Sequence, residues 1–222
     1  MSINYVYLVG SLIFFAIWLI FFILRKDLRR EMLIVSIPGA ILQYVGCKYW
    51  CIIDWWNPYT LFGRGVGFED FLFGFSSFGI AAVIYDVLLH KKYARHIWKK
   101  PRFYIRIYFL ILIIAFLSLA LFASGTTSFT AYVSVAVISS SILLISHHQL
   151  FTNSLLSGLL FMLISVPIYL VLNALSPGWI EHTYLFDSLS GIRIFTIPLE
   201  EYLYYFVTGL IIGPLFEYSK RV

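Results

Sequence analysis

The chain has 222 residues, 61% of them hydrophobic and 12% charged, with a formal net charge of +5. A soluble domain is usually about 45–50% apolar and about 25% charged, so the composition excludes an ordinary water-soluble fold. In a soluble protein the basic excess would suggest an anionic partner. Here it reads as basic cytoplasmic loops, and no nucleic-acid partner is expected.

Residues 3–24 form an apolar run long enough to cross about 30 Å of hydrocarbon, followed by Arg25, Lys26, Arg29 and Arg30. A secretory signal carries its charges before a shorter apolar core, so this run is expected to be an anchor that is not cleaved. A second span covers 32–50 and contains Pro38. The stretch from Asp54-Trp55-Trp56-Asn57-Pro58-Tyr59 to Gly67 reads as a loop, marked by Asn-Pro and glycines. The third span is 69–89, and a basic segment follows with Lys91, Lys92, Arg95, Lys99, Lys100 and Arg102. Spans at 103–123, 128–146 and 152–173 come next, the last with Pro167 inside. A loop holding Pro177, Trp179, Asp187 and Gly191 leads to the seventh span, 198–217.

Alternate sides of seven spans put 13 of the 16 Lys and Arg on one face, which predicts an outer N-terminus and a cytoplasmic C-terminus in the cell membrane. The chain also repeats itself. Gly67-Phe68-Glu69-Asp70-Phe71 resembles Pro198-Leu199-Glu200-Glu201-Tyr202, and Val35-Ser36-Ile37-Pro38 resembles Ile164-Ser165-Val166-Pro167. Spans 1–3 thus match spans 5–7 in the same orientation. The expected fold is an all-α polytopic membrane protein of seven transmembrane helices, with two parallel three-helix repeats joined by a linker helix. Residues 1–90 are the first repeat, 91–126 the basic loop and linker helix, and 127–222 the second repeat. Such a fold sets its functional site between the halves.

Glu69, Asp70, Glu200 and Glu201 are the candidate catalytic residues. Acidic residues in a first helical turn complement the helix dipole, but ionisable groups at membrane depth are costly and point to function. Their recurrence in both repeats favours the second reading. Paired carboxyls in an apolar pocket can serve as general acid and general base. Neighbours on a helix lie about 100° apart, so one of Glu200 and Glu201 is expected to face the interior. Glu200 and Glu69 are the first choices as acid and base, with Glu201 and Asp70 as partners. Asp86 and Glu217, at the other end of the same helices, read as interfacial partners of Lys and Arg. Gly209 and Gly213 form a GxxxG packing signal. Cys47 and Cys51, the only cysteines, share a helical face, and no residue set completes a metal site.

Pro198-Leu199-Glu200-Glu201 followed by Tyr202-Leu203-Tyr204-Tyr205-Phe206 resembles the Pro-x-Glu-Glu-plus-aromatics signature of the lycopene cyclase domain family, small membrane carotenoid cyclases of bacteria, archaea and fungi. In that family the active unit comprises two similar three-helix pieces, separate or fused, and this chain has the fused layout. The resemblance implies acid-catalysed, non-redox cyclisation of lycopene-type ends to β-rings, an intramolecular isomerisation that needs no flavin or other cofactor. The implied partners are an apolar isoprenoid substrate and the lipid bilayer, and a homo-oligomer is compatible with it. Aromatic faces can stabilise the carbocation. Tyr202, Tyr205, Phe71 and Phe75 are the candidates to line the substrate cavity. The first repeat departs from the signature, with Gly67 for its Pro and Asp70 for its second Glu. The competing assignment is a small-molecule transporter with the three-one-three layout of SWEET-type sugar carriers, whose Pro-Gln dipeptide is missing here: Gly39 follows Pro38 and Ile168 follows Pro167.

Overall fold

A computed structural model describes residues 1–89 and 101–221. The basic cluster Lys91, Lys92, Arg95, Lys99 and Lys100 lies outside the described residues. The described chain is helical, with two small hairpins. Helix α1 (Val6–Leu24) is followed by α2 (Arg29–Gly46), which runs through a wide π turn at Cys47–Cys51 into the short α3 (Ile52–Asp54). Hairpin β1–β2 (Tyr59–Thr60, Gly63–Arg64) precedes α4 (Phe68–Leu88). Then come α5 (Pro101–Ala123), α6 (Ser128–Ser146), α7 (Phe151–Leu175) and the short α8 (Trp179–Thr183). Hairpin β3–β4 (Arg193–Ile194, Ile197–Pro198) precedes α9 (Leu199–Ile212), and α10 (Leu215–Arg221) ends the described chain.

Among the described residues, six helical segments are long and apolar enough to cross a membrane: Ile3–Leu24, Arg29–Asp54, Phe68–Leu88, Ile105–Ala123, Ser128–Ser146 and His148–Leu175. The seventh expected span, 198–217, is split into α9 and α10 at Gly213-Pro214. Proline has no N–H to return to the carbonyl four residues earlier, so the Leu210 carbonyl loses its helical donor. The Ser154 hydroxyl of α7 donates to it instead, and the bend is satisfied from the neighbouring helix. Pro38 and Pro167, by contrast, sit inside continuous helices.

Burial separates a central helix from a peripheral one. In α4, 72% of the membrane-length window is buried, against 11% in α5. Helix α4 packs on α1, α2 and α7, while α9 packs on α7, α6 and α4. Close approach of α7 and α9 rests on small residues: Gly209 and Gly213 lie against Ser157 and Gly158, where a β-carbon would collide with α7. The two segments read from sequence as loops hold the two hairpins, which deliver the chain to the N-termini of α4 and α9.

Candidate acid site at the two helix starts

Both carboxylate pairs occupy the second and third positions of their helices. Glu69 and Glu200 each accept a backbone N–H from the loop or hairpin in front, Leu61 to Glu69 Oε1 and Ser190 to Glu200 Oε1, both at 2.7 Å. Their other oxygens, both Oε2, are buried without a hydrogen-bond partner. Asp70 and Glu201, one residue on, turn about 100° to another face.

Here the halves diverge. Asp70 reaches back to its own helix start, accepting the Gly67 N–H at 2.9 Å through Oδ2, while Oδ1 accepts the Tyr7 hydroxyl at 2.9 Å. This is half of a capping box. The equivalent start in the second half is Pro198, which has no N–H to offer. Glu201 instead accepts the Tyr169 hydroxyl at 2.7 Å and lines an interior chamber. It is 5% exposed, and no described Lys or Arg forms an ion pair with it.

The chamber, about 30 Å³, is bounded by Gln43, Trp55, Trp56, Phe73, Tyr169 and Tyr204 together with Glu201. Its rings belong to a continuous buried cluster. Tyr204 and Tyr205 have centroids 5.2 Å apart, and Trp55 lies edge-on to Tyr204 at 5.3 Å. Tyr205 stacks on Phe14 at 5.8 Å, and Tyr7 meets Trp56 edge-on at 4.6 Å. The Trp55 indole N–H faces Glu201 without completing a hydrogen bond. Gln43 accepts from Tyr204 at 3.3 Å and donates to the Cys47 sulfur at 3.1 Å. The π turn at Cys47–Cys51 brings this face of α2 to the chamber, and such turns recur at functional sites.

A backbone seam closes the chamber on the side of the hairpins. Trp56 and Tyr184 form a β-bridge, flanked by Asn57 N–H to the Thr183 carbonyl at 2.7 Å and Leu185 N–H to the Trp55 carbonyl at 2.9 Å. Arg64 adds a bond to the His182 carbonyl at 3.1 Å. Tyr184 thereby enters the cluster beside Tyr169, with hydroxyls 3.1 Å apart. Burial pushes the Tyr184 hydroxyl well above its ordinary value, so it stays a neutral donor.

Of the aromatic residues expected from sequence, Tyr205 is in this cluster, 1% exposed. Phe71 is 42% exposed and pairs with Phe68 on the outer face of α4. Tyr202 is half-buried, its hydroxyl on the Ile194 carbonyl of the hairpin. Phe75 packs on Trp18 at 4.9 Å, away from the chamber. Helical spacing accounts for this. With Glu201 inward, positions three and four later, Tyr204 and Tyr205, share its face, and Tyr202 does not. Tyr7, Gln43, Trp55, Trp56, Tyr169 and Tyr184 were not singled out from sequence, because they reach the site from other helices and loops.

Residues 126–219, which contain α6, α7, α9 and both second-half carboxylates, match the family model described as lycopene cyclase. In this segment the chain is similar to the lycopene cyclase domain family. No curated protein and no solved structure matches the chain. The lycopene cyclase match, together with the long apolar helices, supports a membrane enzyme of carotenoid cyclisation.

Proposed function

We propose that the chain is an acid-catalysed, non-redox cyclase of acyclic carotenoid ends, and that Glu201 is its acid. The observation that carries this reading is a single carboxyl, held by Tyr169, opening into a chamber otherwise walled by aromatic side chains, the Gln43 amide and the Cys51 thiol. An uncompensated charge at this depth is costly, and Glu201 enters the cycle protonated. Its proton adds to the terminal carbon–carbon double bond and leaves a tertiary cation. A nearby double bond of the same chain attacks that cation and closes a six-membered ring. A ring C–H then loses its proton to the Glu201 carboxylate, and the electron pair of that bond becomes the ring double bond. Atoms and electrons balance, so the reaction is an isomerisation. The carbons that gain and lose the proton belong to one small ring, which lets a single carboxyl serve as acid and then base. The faces of Trp55, Phe73 and Tyr204 suit the passing cation. The seam over Trp56 and Tyr184 keeps out water, which would trap the cation as an alcohol.

In this reading Glu200 fixes the loop at Ser190, and the Glu69–Asp70 pair holds the first helix start. Residues 1–90 and 127–222 act as two like-oriented three-helix units around the chamber, joined by 91–126. The N-terminus faces out and the C-terminus the cytoplasm, as the basic segments require. The test is pigment analysis of lycopene-accumulating cells carrying the intact chain, Glu201→Gln or Glu200→Gln. Ring-bearing products from the intact chain, lost in Glu201→Gln and retained in Glu200→Gln, are expected. Unchanged lycopene with the intact protein in the membrane would overturn the proposal.

A further inference from the structure

The chamber at Glu201 shares a wall with a second, larger space. A groove of about 120 Å³ runs between the C-terminal part of α2, the linker helix α5, and α6 and α9. It shares Gln43, Cys51, Trp55 and Tyr204 with the chamber, so these side chains form the wall between the two. On α5 the groove is lined by Ile111, Ile114, Ala115, Ser118 and Phe122, which recur at helical spacing on one face. That face stands off from α2, and α5 is the least buried of the six long helices. The groove is thus flanked by a helix whose other sides meet lipid.

A chamber of about 30 Å³ holds little more than one water molecule. An acyclic carotenoid is a long, stiff, wholly apolar chain, of which one end reacts at a time. The rest of the chain needs an apolar channel continuous with the acid. We propose that the groove between α2 and α5 is the binding site for the unreacted polyene arm, and that the substrate enters it sideways from the bilayer, with Ala115 and Ser118 setting the width available. This rests on the cyclase reading and specifies where that substrate lies. A wall shared with the Glu201 chamber favours a polyene over a lipid acyl chain, which has no reason to lie beside an acid. The flat rings of Trp50 and Phe122 at the groove match the faces of a conjugated chain. Admission of the reacting end requires the Tyr204–Gln43 hydrogen bond to open, since both side chains stand in the shared wall.

The test measures initial rates of lycopene conversion in membrane vesicles of graded lycopene content, for the intact chain, Ala115→Phe, Ser118→Leu and Leu112→Phe. Leu112 is 61% exposed on α5, lies outside the groove lining and serves as the control. The two groove variants are expected to raise the apparent KM about tenfold with kcat within twofold, and Leu112→Phe to change neither. Lycopene retained per polypeptide after detergent purification of Glu201→Gln is expected to fall by the same factor when either groove substitution is added. Ser118→Leu is the milder change and decides the matter if Ala115→Phe does not accumulate. Unchanged KM and unchanged retention in both groove variants, with the intact chain active, would mean a lipid fills the groove and would overturn the proposal. No conversion by the intact chain overturns the cyclase reading itself, and the polyene site with it.

Discussion

The two helix starts, Gly67–Asp70 and Pro198–Glu201, have the same fold and opposite consequences. Both follow a two-stranded hairpin, and both fix their first carboxylate on a preceding backbone N–H. The difference lies at one backbone nitrogen. Gly67 offers an N–H, and Asp70 is drawn back to cap it. Pro198 offers none, and the longer Glu201 side chain is free to reach Tyr169 and the chamber. A helix start that satisfies itself ties up its carboxylate at the helix end, whereas one that cannot leaves its carboxylate free for the proposed chemistry. Gly67, one of the two residues that depart from the family signature in the first half, is therefore the residue that takes Asp70 out of the proposed reaction.

The sharpest way to break this comparison is to neutralise each carboxylate in turn. Glu201→Gln is expected to lower conversion by at least about 100-fold, the usual worth of a general acid. Asp70→Asn should keep more than about a third of the turnover per folded molecule. Equal losses in pigment assays would mean that both halves do chemistry. Next in size is Gly67→Pro. It removes the donor to Asp70 and sets a ring against Thr60 and Glu69, at a cost of about 2–3 kcal/mol. The readout is a lower thermal transition of the purified protein, with turnover per folded molecule nearly unchanged. Tyr169→Phe leaves Glu201 Oε2 without its donor and should reduce kcat about tenfold, or about 1.4 kcal/mol, with KM within twofold. The smallest effect is expected for Ser154→Ala, which strips the Leu210 carbonyl of its replacement donor and should cost about 1 kcal/mol in thermal stability and little in rate.

Much of the architecture was legible because lipid imposes simple rules. Apolar runs of about 20 residues give the helices, and the recurring acidic pairs mark where two of them begin. The break at Gly213-Pro214 was also written in the sequence, but an apolar stretch of the right length concealed it. The hairpins were missed, since two-residue strands leave almost no periodic signal. At the site, the pairs were visible and their division of labour was not. Glu200 is the residue nearer the motif's proline, yet Glu201 faces the chamber, and only the helical offset to Tyr204 and Tyr205 could have suggested it. Tyr7, Trp55, Tyr169 and Tyr184 converge from α1, α7 and two loops, and no spacing along one chain encodes a meeting across helices.

The Gly213-Pro214 bend also bears on how the protein is made. At about 1.5 Å per residue, the 14 residues of α9 reach about 21 Å, short of a hydrocarbon core of about 30 Å, and they carry two carboxylates near one end. Such a segment is a poor substrate for insertion by itself. The Ser154 hydroxyl and the small-residue face of α7 are the surfaces that complete it, so α7, delivered first, is expected to stay at the translocon until α9 emerges and packs on it. A nascent chain with α7 replaced by an unrelated apolar helix should leave α9 outside the bilayer, open to glycosylation at an acceptor site placed after it, while the native order carries it in.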